Sequence, residues 1–349
     1  MLIRHNKLIL SILFIFNFIL AQPDSSGVCQ MFCCVDPSPT GVMISHSHLK
    51  KEWMMSYRYS TMNMEGNYQS GVKISENEIN SNYLMNSKSM QMDMHMIMAM
   101  YGISNKFTIM GMLHYMKNMM QMDMSSSHDM SMHMGENKHA HHMTTQGMGD
   151  SKIYILYNIF ENHHQHLLGS IGINIPTGSI QMTGDTQSMY PGFRYPYAMQ
   201  LGSGTVDIFP IINYISKYNR LYFSSQFGAI IRPYKNSIGY SLGNELNSNS
   251  WVAYQWFQFI SSSVRLTGQI NEPISGNDIT LYKYYEPAAN TYNYGGYQLI
   301  GWLGSNLYIK IKSANIKVTG EFGLPLYQYY YGIQMNQKDA FNLSLSTTF

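Results

Sequence analysis

Methionine and histidine are the side chains in this sequence whose type and spacing could do chemistry. There are 30 Met and 13 His in 349 residues; most of the Met, and every His except His5, lie between positions 43 and 166. The densest run holds Met119, Met120, Met122, Met124, His128, Met130, Met132, His133, Met134, His139, His141, His142 and Met143. Thioether sulfur is a soft ligand that selects Cu(I) or Ag(I), and imidazole suits Cu(II), Ni and Zn. A mixed tract of this kind reads on composition as weak, multi-site metal capture, with copper, as Cu(I) or Cu(II), the first candidate. The alternative is an unstructured polar insert with biased composition.

A second group lies nearer the N-terminus. Cys29, Cys33 and Cys34 are odd in number, so one disulfide leaves one thiol. Together with His46 and His48 they could hold a soft metal, although the spacing matches no standard zinc motif. A disulfide or a structural role is the expected reading. No GxSxG, HExxH or phosphate-loop pattern occurs, and Asp207, Glu272 and Glu286 stand far apart in sequence. No catalytic residue is nominated, no cofactor is required, and an enzyme is not expected.

Those residues need elements to position them. Charged residues make up 12% of the chain, about half the roughly 25% of a soluble domain. Net charge is +2, too weak a field to steer polyanions, so nucleic acid is not an expected partner. Arg4, His5 and Lys7 precede an apolar run over 8–21 that ends at small Ala21. This reads as a cleaved secretory signal peptide, 1–21, rather than an anchor helix, since a span wants about 20 residues. No later stretch is apolar enough for a helical span. Residues 22–51 follow as a periplasmic N-terminal segment carrying the Cys and His.

From there the chain alternates. Phe341, Leu343, Leu345, Thr347 and Phe349 fall on one face, opposed by Asn342, Ser344, Ser346 and Thr348, the period-2 pattern of a strand with one apolar side. Twelve strands are expected near 52–64, 90–101, 107–117, 150–161, 166–176, 204–216, 220–233, 239–254, 257–270, 295–307, 314–327 and 338–349. Their connections alternate long (65–89, 118–149, 177–203, 271–294) and short (102–106, 162–165, 217–219, 308–313). The connections at 234–238 and 328–337 are weaker members of the long set. Long loops at one end and tight turns at the other belong to an outer-membrane barrel, whose closure leaves no edge for lipid to meet. A secreted β-sandwich is the competing fold. The 28 Tyr suit interfacial girdles.

Alternation also assigns faces. Strand 52–64 offers Met54, Arg58 and Met62 to the lumen. On strand 90–101 the polar set with Asp93 and His95 should point inward, leaving Met90 to Met100 to lipid. Strand 107–117 turns Met110, Met112, His114 and Met116 inward. The expected lumenal wall is therefore Met54, Arg58, Met62, Asp93, His95, Met110, Met112, His114 and Met116. Charges Arg58, Asp93, Lys152, Arg265 and Glu321 would line the pore and tune its selectivity.

Several segments resemble one known family. They are PTGVM (39–43), SYRYSTMNMEGN (56–67), MDMHMIMAMYG (92–102), MGDSKIYILYNIF (148–160), INIPTGSI (173–180), YPYAMQLGSGTVDIFP (195–210) and GEFGLPLYQ (320–328). The sequence resembles the outer-membrane family labelled "MetA-pathway of phenol degradation", most of all its transporter-like branch. Gly149, Asp150 and Tyr157, with the PTG at 176–178, are the most recognisable pieces. The resemblance implies an outer-membrane barrel that passes or binds small, often hydrophobic molecules. This chain departs from it in the length and Met/His density of 118–149.

The expectation is an all-β protein: a closed antiparallel transmembrane barrel of about twelve strands spanning 52–349, of bacterial outer-membrane type. Its partners would be outer-membrane lipid, a small solute or metal ligand, and barrel-assembly machinery reading the terminal Phe349. The expected activity is passage or capture of a small solute, copper first, with metal caught by the 118–149 loop. The alternatives are transport of hydrophobic or aromatic molecules, or a non-conducting surface metal-binding protein.

Overall fold

In a computed structural model of the chain, residues 36–124, 141–184, 192–311 and 314–349 are described. Period-2 alternation has its expected consequence. Twelve antiparallel strands follow in sequence order: β1 (Trp53–Gln69), β2 (Met85–Gly102), β3 (Phe107–Met124), β4 (His141–Met148 and Ser151–Glu161), β5 (Gln165–Ile175) and β6 (Ile208–Tyr218). The second half holds β7 (Leu221–Ile230), β8 (Glu245–Phe257), β9 (Ile260–Asn271), β10 (Gly296–Ile311), β11 (Ala314–Tyr330) and β12 (Gln334–Thr348). Each strand pairs with the next, and β12 pairs back onto β1, from Met54↔Thr348 to Tyr68↔Gln334. The barrel is closed, so no row of backbone N–H and C=O groups is left at an edge.

Strand β4 is one strand broken at Gly149–Asp150. Its first piece pairs Met148 with Tyr115, and its second pairs Lys152 with Met112, a one-residue slip along β3. An irregularity of this kind re-aims the local side chains.

Two connections differ from expectation. Among its described residues, segment 118–149 is strand up to Met148: β3 runs on to Met124 and β4 starts at His141, with Met120 opposite Met143. The inward-facing Met of both strands bury against each other, which extends the hairpin. Likewise 328–337 is no loop, since β11 reaches Tyr330 and β12 begins at Gln334. Tyr297 stacks on Tyr329 at 4.9 Å there and carries the strands outward. The 65–89 connection holds a short helix, α1 (Glu76–Asn82), whose Ser75 side chain caps the Glu78 amide. Short turns lie at the opposite end; Asn219 takes φ 54° in the two-residue turn between β6 and β7.

The outward face carries Ile97, Leu113, Ile155, Ile173, Val264, Leu303, Phe322 and Leu343, all exposed. The inward face is mostly buried or half-buried. Among the described residues no helix is long and apolar enough to cross a membrane.

Candidate functional site

Directly opposed residues on neighbouring strands share a face, so register fixes which side chains meet in the lumen. Across β1, β2 and β3 the inner positions run in rungs. Met54 lies opposite Met100 and Met100 opposite Met110; Met98 meets Met112; Met96 meets His114; Met94 meets Met116; Met62 meets Met92. Met54, Met96, Met98, Met100, Met110 and Met112 are buried in one cluster. The lumen has a wall of sulfur.

This corrects the face assigned to β2. Asp93 and His95 point outward and Met90 to Met100 inward. Polarity oriented that strand wrongly because Asp93 and His95 find partners on the outer surface. The Tyr59 hydroxyl donates to Asp93 at 2.9 Å, and the Tyr57 hydroxyl lies 2.7 Å from His95 Nδ1. The usable signal was Ile97 and Tyr101, which share the parity of Asp93 and belong against lipid.

Of the other expected residues, Met54, Arg58, Met62, Met110, Met112, His114 and Met116 take inner positions by register. Met120, Met122, Met124, His141 and Met143 also lie on the inner face of the β3–β4 hairpin, whereas Met119 and His142 lie on its outer face. His128, Met130, Met132, His133, Met134 and His139 fall outside the described residues, as do Cys29, Cys33 and Cys34. Among the described residues no three His, Cys, Asp or Glu side chains gather as a metal site.

The opposite wall is polar, and the chain's own N-terminal segment lies on it. Asn213 and Gln226 both donate to the Ile44 carbonyl at 2.8 Å, and Asn306 donates to the Pro37 carbonyl at 3.0 Å. Lys317 reaches the Ser38 carbonyl and the Asp36 carboxylate, at 2.8 and 3.1 Å. The Gly41 amide donates to Glu321 Oε2 at 2.6 Å. Arg265 pairs with Glu321 at 2.9 Å, donates to Asn249 and Thr267, and stacks on Trp302 at 4.4 Å. This charge pair is fully buried and fully bonded, the condition under which a buried pair is tolerated.

Apolar side chains of the same segment turn to other surfaces. Val42 packs with Ile215, Tyr222, Trp251 and Ala253, while Ile44 and Met43 join the sulfur wall. Burying one such side chain yields about 1.5–3 kcal/mol. Ordering each residue of the segment costs about 1–2 kcal/mol. Three apolar side chains offset only part of the cost of ordering residues 36–48, so the hydrogen bonds to the lumen wall are an essential part of the seat. Between it and β1, β2, β11 and β12 remains a cavity of about 50 Å³, lined by Met43, His46, Met54, Arg58, Met98 and Met100 among others. That is well below the ~150 Å³ that holds a benzene ring. His46 Nδ1 lies 3.3 Å from Asp36, and His48 Nδ1 lies 3.3 Å from Glu52.

The long-loop end is also covered. Asp150 holds a knot there: its oxygens accept from the amides of Gly178 and Ser203 at 2.9 and 2.8 Å, and from the Asn174 side chain at 2.9 Å. Thr177 donates to the Gly149 carbonyl. A Cβ on Gly202 would come 2.5 Å from the Gly178 carbonyl oxygen. The GD and PTG signatures therefore tie the β5–β6 connection down rather than contact a solute. So anchored, that connection buries Tyr195 and Met199 against Met90, Met120, Met122 and Met143.

No family model matches the chain, and no curated protein matches it. Among solved structures, an outer membrane channel from Pseudomonas putida F1 is similar over 87% of this chain and 97% of its own, with TM-score 0.57 and 12% identity. A Pseudomonas aeruginosa FadL homologue covers 92% of this chain and 96% of its own at 9% identity, with TM-score 0.42. At these identities the likeness to the first is one of fold, and the second superposes too loosely to carry an argument.

Proposed function

We propose that the chain is a channel of the bacterial outer membrane for small, largely apolar solutes, held shut by its own N-terminal segment. The observation that carries this is the lumen itself: a thioether wall faces a polar wall, and residues 36–48 fill the space between them. Thioethers are polarisable and adaptable and suit apolar or aromatic molecules of varied shape. A pore for ions would instead present rings of exposed charge. Arg265 and Glu321 neutralise each other. Displacing the segment would open the wall at Met54, Met98 and Met112 to a solute, with the β5–β6 connection still covering the long-loop end.

The girdle of exposed aliphatic and aromatic side chains supports membrane insertion. In this reading residues 1–21 direct export, Phe349 is offered to the assembly machinery, and the short turns face the periplasm. Proteoliposomes test it. Entry of toluene or phenol should exceed that of a hexose of similar mass, and should rise when residues 36–48 are removed. Equal entry of hexose and aromatic would sink the reading.

A further inference from the structure

The β3–β4 hairpin places sulfur where the solute reading does not need it. Met64, Met90, Met120 and Met143 stand abreast on β1, β2, β3 and β4, each directly opposite the next and all facing inward. Directly opposed Cβ atoms lie about 4.5–5.5 Å apart. Three rotatable bonds let neighbouring thioethers converge on one point. From the overlying β5–β6 connection, Met199 enters the same cluster, with none of its surface exposed. We propose that Met90, Met120, Met143 and Met199 form a binding site for a soft monovalent cation, Cu(I) or Ag(I), at the long-loop end of the lumen.

Core packing alone does not account for the choice of sulfur. On β2 and β3 the exposed outward positions include branched hydrocarbon, Ile97, Ile109 and Leu113, beside aromatic Phe107 and Tyr115 and no Met. Inward positions from Met90 to Met100 are all Met at every second residue. Leu fills such space at least as well and specifies a core better. Sulfur follows the lumenal side with few exceptions, Met55 and Met148 among them.

A second observation bears on charge. Glu286, in the β9–β10 connection, is fully buried and receives a hydrogen bond from Ser87 at 2.6 Å; its Oε1 has no partner. Ser87 lies opposite Met122, next to the row of four, and Tyr285 packs against the sulfur cluster. Among the described residues no Lys, Arg or His pairs with Glu286. A carboxylate without a counter-ion beside neutral soft donors matches the needs of a bound monovalent cation. The inference does not rest on solute passage and stands or falls separately from it.

Silver(I), which is redox-inert, is the probe. The purified full chain, its three cysteines alkylated, is titrated anaerobically with Ag(I) against a chromophoric competitor. The Met90→Leu/Met120→Leu/Met143→Leu variant should lose at least tenfold in affinity and one ion in stoichiometry. Met55→Leu, outside the barrel, should change neither. Met-to-Leu swaps conserve volume and cost little, and heat-modifiable migration on gels checks that the barrel closes. Undiminished affinity in the triple variant overturns the site and assigns the ions elsewhere, residues 125–140 included. X-ray absorption at the silver edge on the unaltered chain gives an independent reading. A shell of sulfur supports the site, and a shell of nitrogen and oxygen alone refutes it.

Discussion

The amide of Gly41 donates to Glu321 Oε2 at 2.6 Å, across 280 positions of sequence. Glu321 is at the same time the partner of Arg265, so one buried carboxylate both satisfies a strand cation and latches the N-terminal segment. A Cβ at position 41 would overlap the Arg265 guanidinium. Gly41→Val should therefore push the segment off Arg265 and Glu321 while leaving every residue of the barrel strands unaltered. The expected result is a severalfold rise in single-channel conductance with the melting of the barrel unchanged. Conductance like that of the parent would show that position 41 does not hold the closed state.

Breaking the charge pair should cost more than removing it. Glu321→Gln leaves Arg265 buried without its counter-charge, a loss of about 3–5 kcal/mol. Exchanging both, Arg265→Met with Glu321→Leu, should restore most of that stability while leaving the segment unlatched. Urea unfolding gives the first comparison. Tryptic cleavage at Lys50 and Lys51, faster in both variants, reports the second.

Asp150 accepts four hydrogen bonds from Gly178, Ser203 and Asn174. Hydrogen bonds to a charged group contribute about 1.5–3 kcal/mol each when removed. Asp150→Ala should free the β5–β6 connection locally, accelerating amide exchange at Gly178 and Ser203 by a hundredfold or more. Exchange at β10 and β11 should stay slow. Unchanged protection at Gly178 would mean that the knot is held by something else.

Burial raises the Glu286 carboxyl to about 7, partly offset by the Ser87 hydroxyl that donates to it. Its folded value lies above its unfolded one, so the folded chain binds more protons across that interval. Stability is then full below about pH 4.5 and falls as pH rises through 7, by roughly 3 kcal/mol. Glu286→Gln should flatten this dependence. Urea midpoints from pH 5 to 9 in parent and variant decide it; parallel slopes would remove Glu286 as the cause.

Much of this architecture is legible in alternation and loop length. Strands such as Ile260–Asn271 and Ala314–Tyr330 declare one mainly apolar face by period, because lipid favours hydrocarbon on that side. The orientation of β2 was not legible from polarity. Asp93 and His95 break the outward pattern locally, and their partners Tyr59 and Tyr57 come from another strand. A strand's face is a property of its neighbours' register as well as of its own residues.

By itself the sequence determined that strands form, how many, and that methionine collects on the first three and the hairpin beyond them. Those follow from local periodicity and from composition. Only tertiary structure decided that the methionines of β1, β2, β3 and β4 share one lumen wall, since that requires registers such as Met64↔Met90↔Met120↔Met143. Only tertiary structure put residues 36–48 inside the barrel. Their anchors, Asn213, Gln226, Asn306 and Glu321, come from β6, β7, β10 and β11 and converge through closure of the sheet, which no local pattern in the sequence encodes.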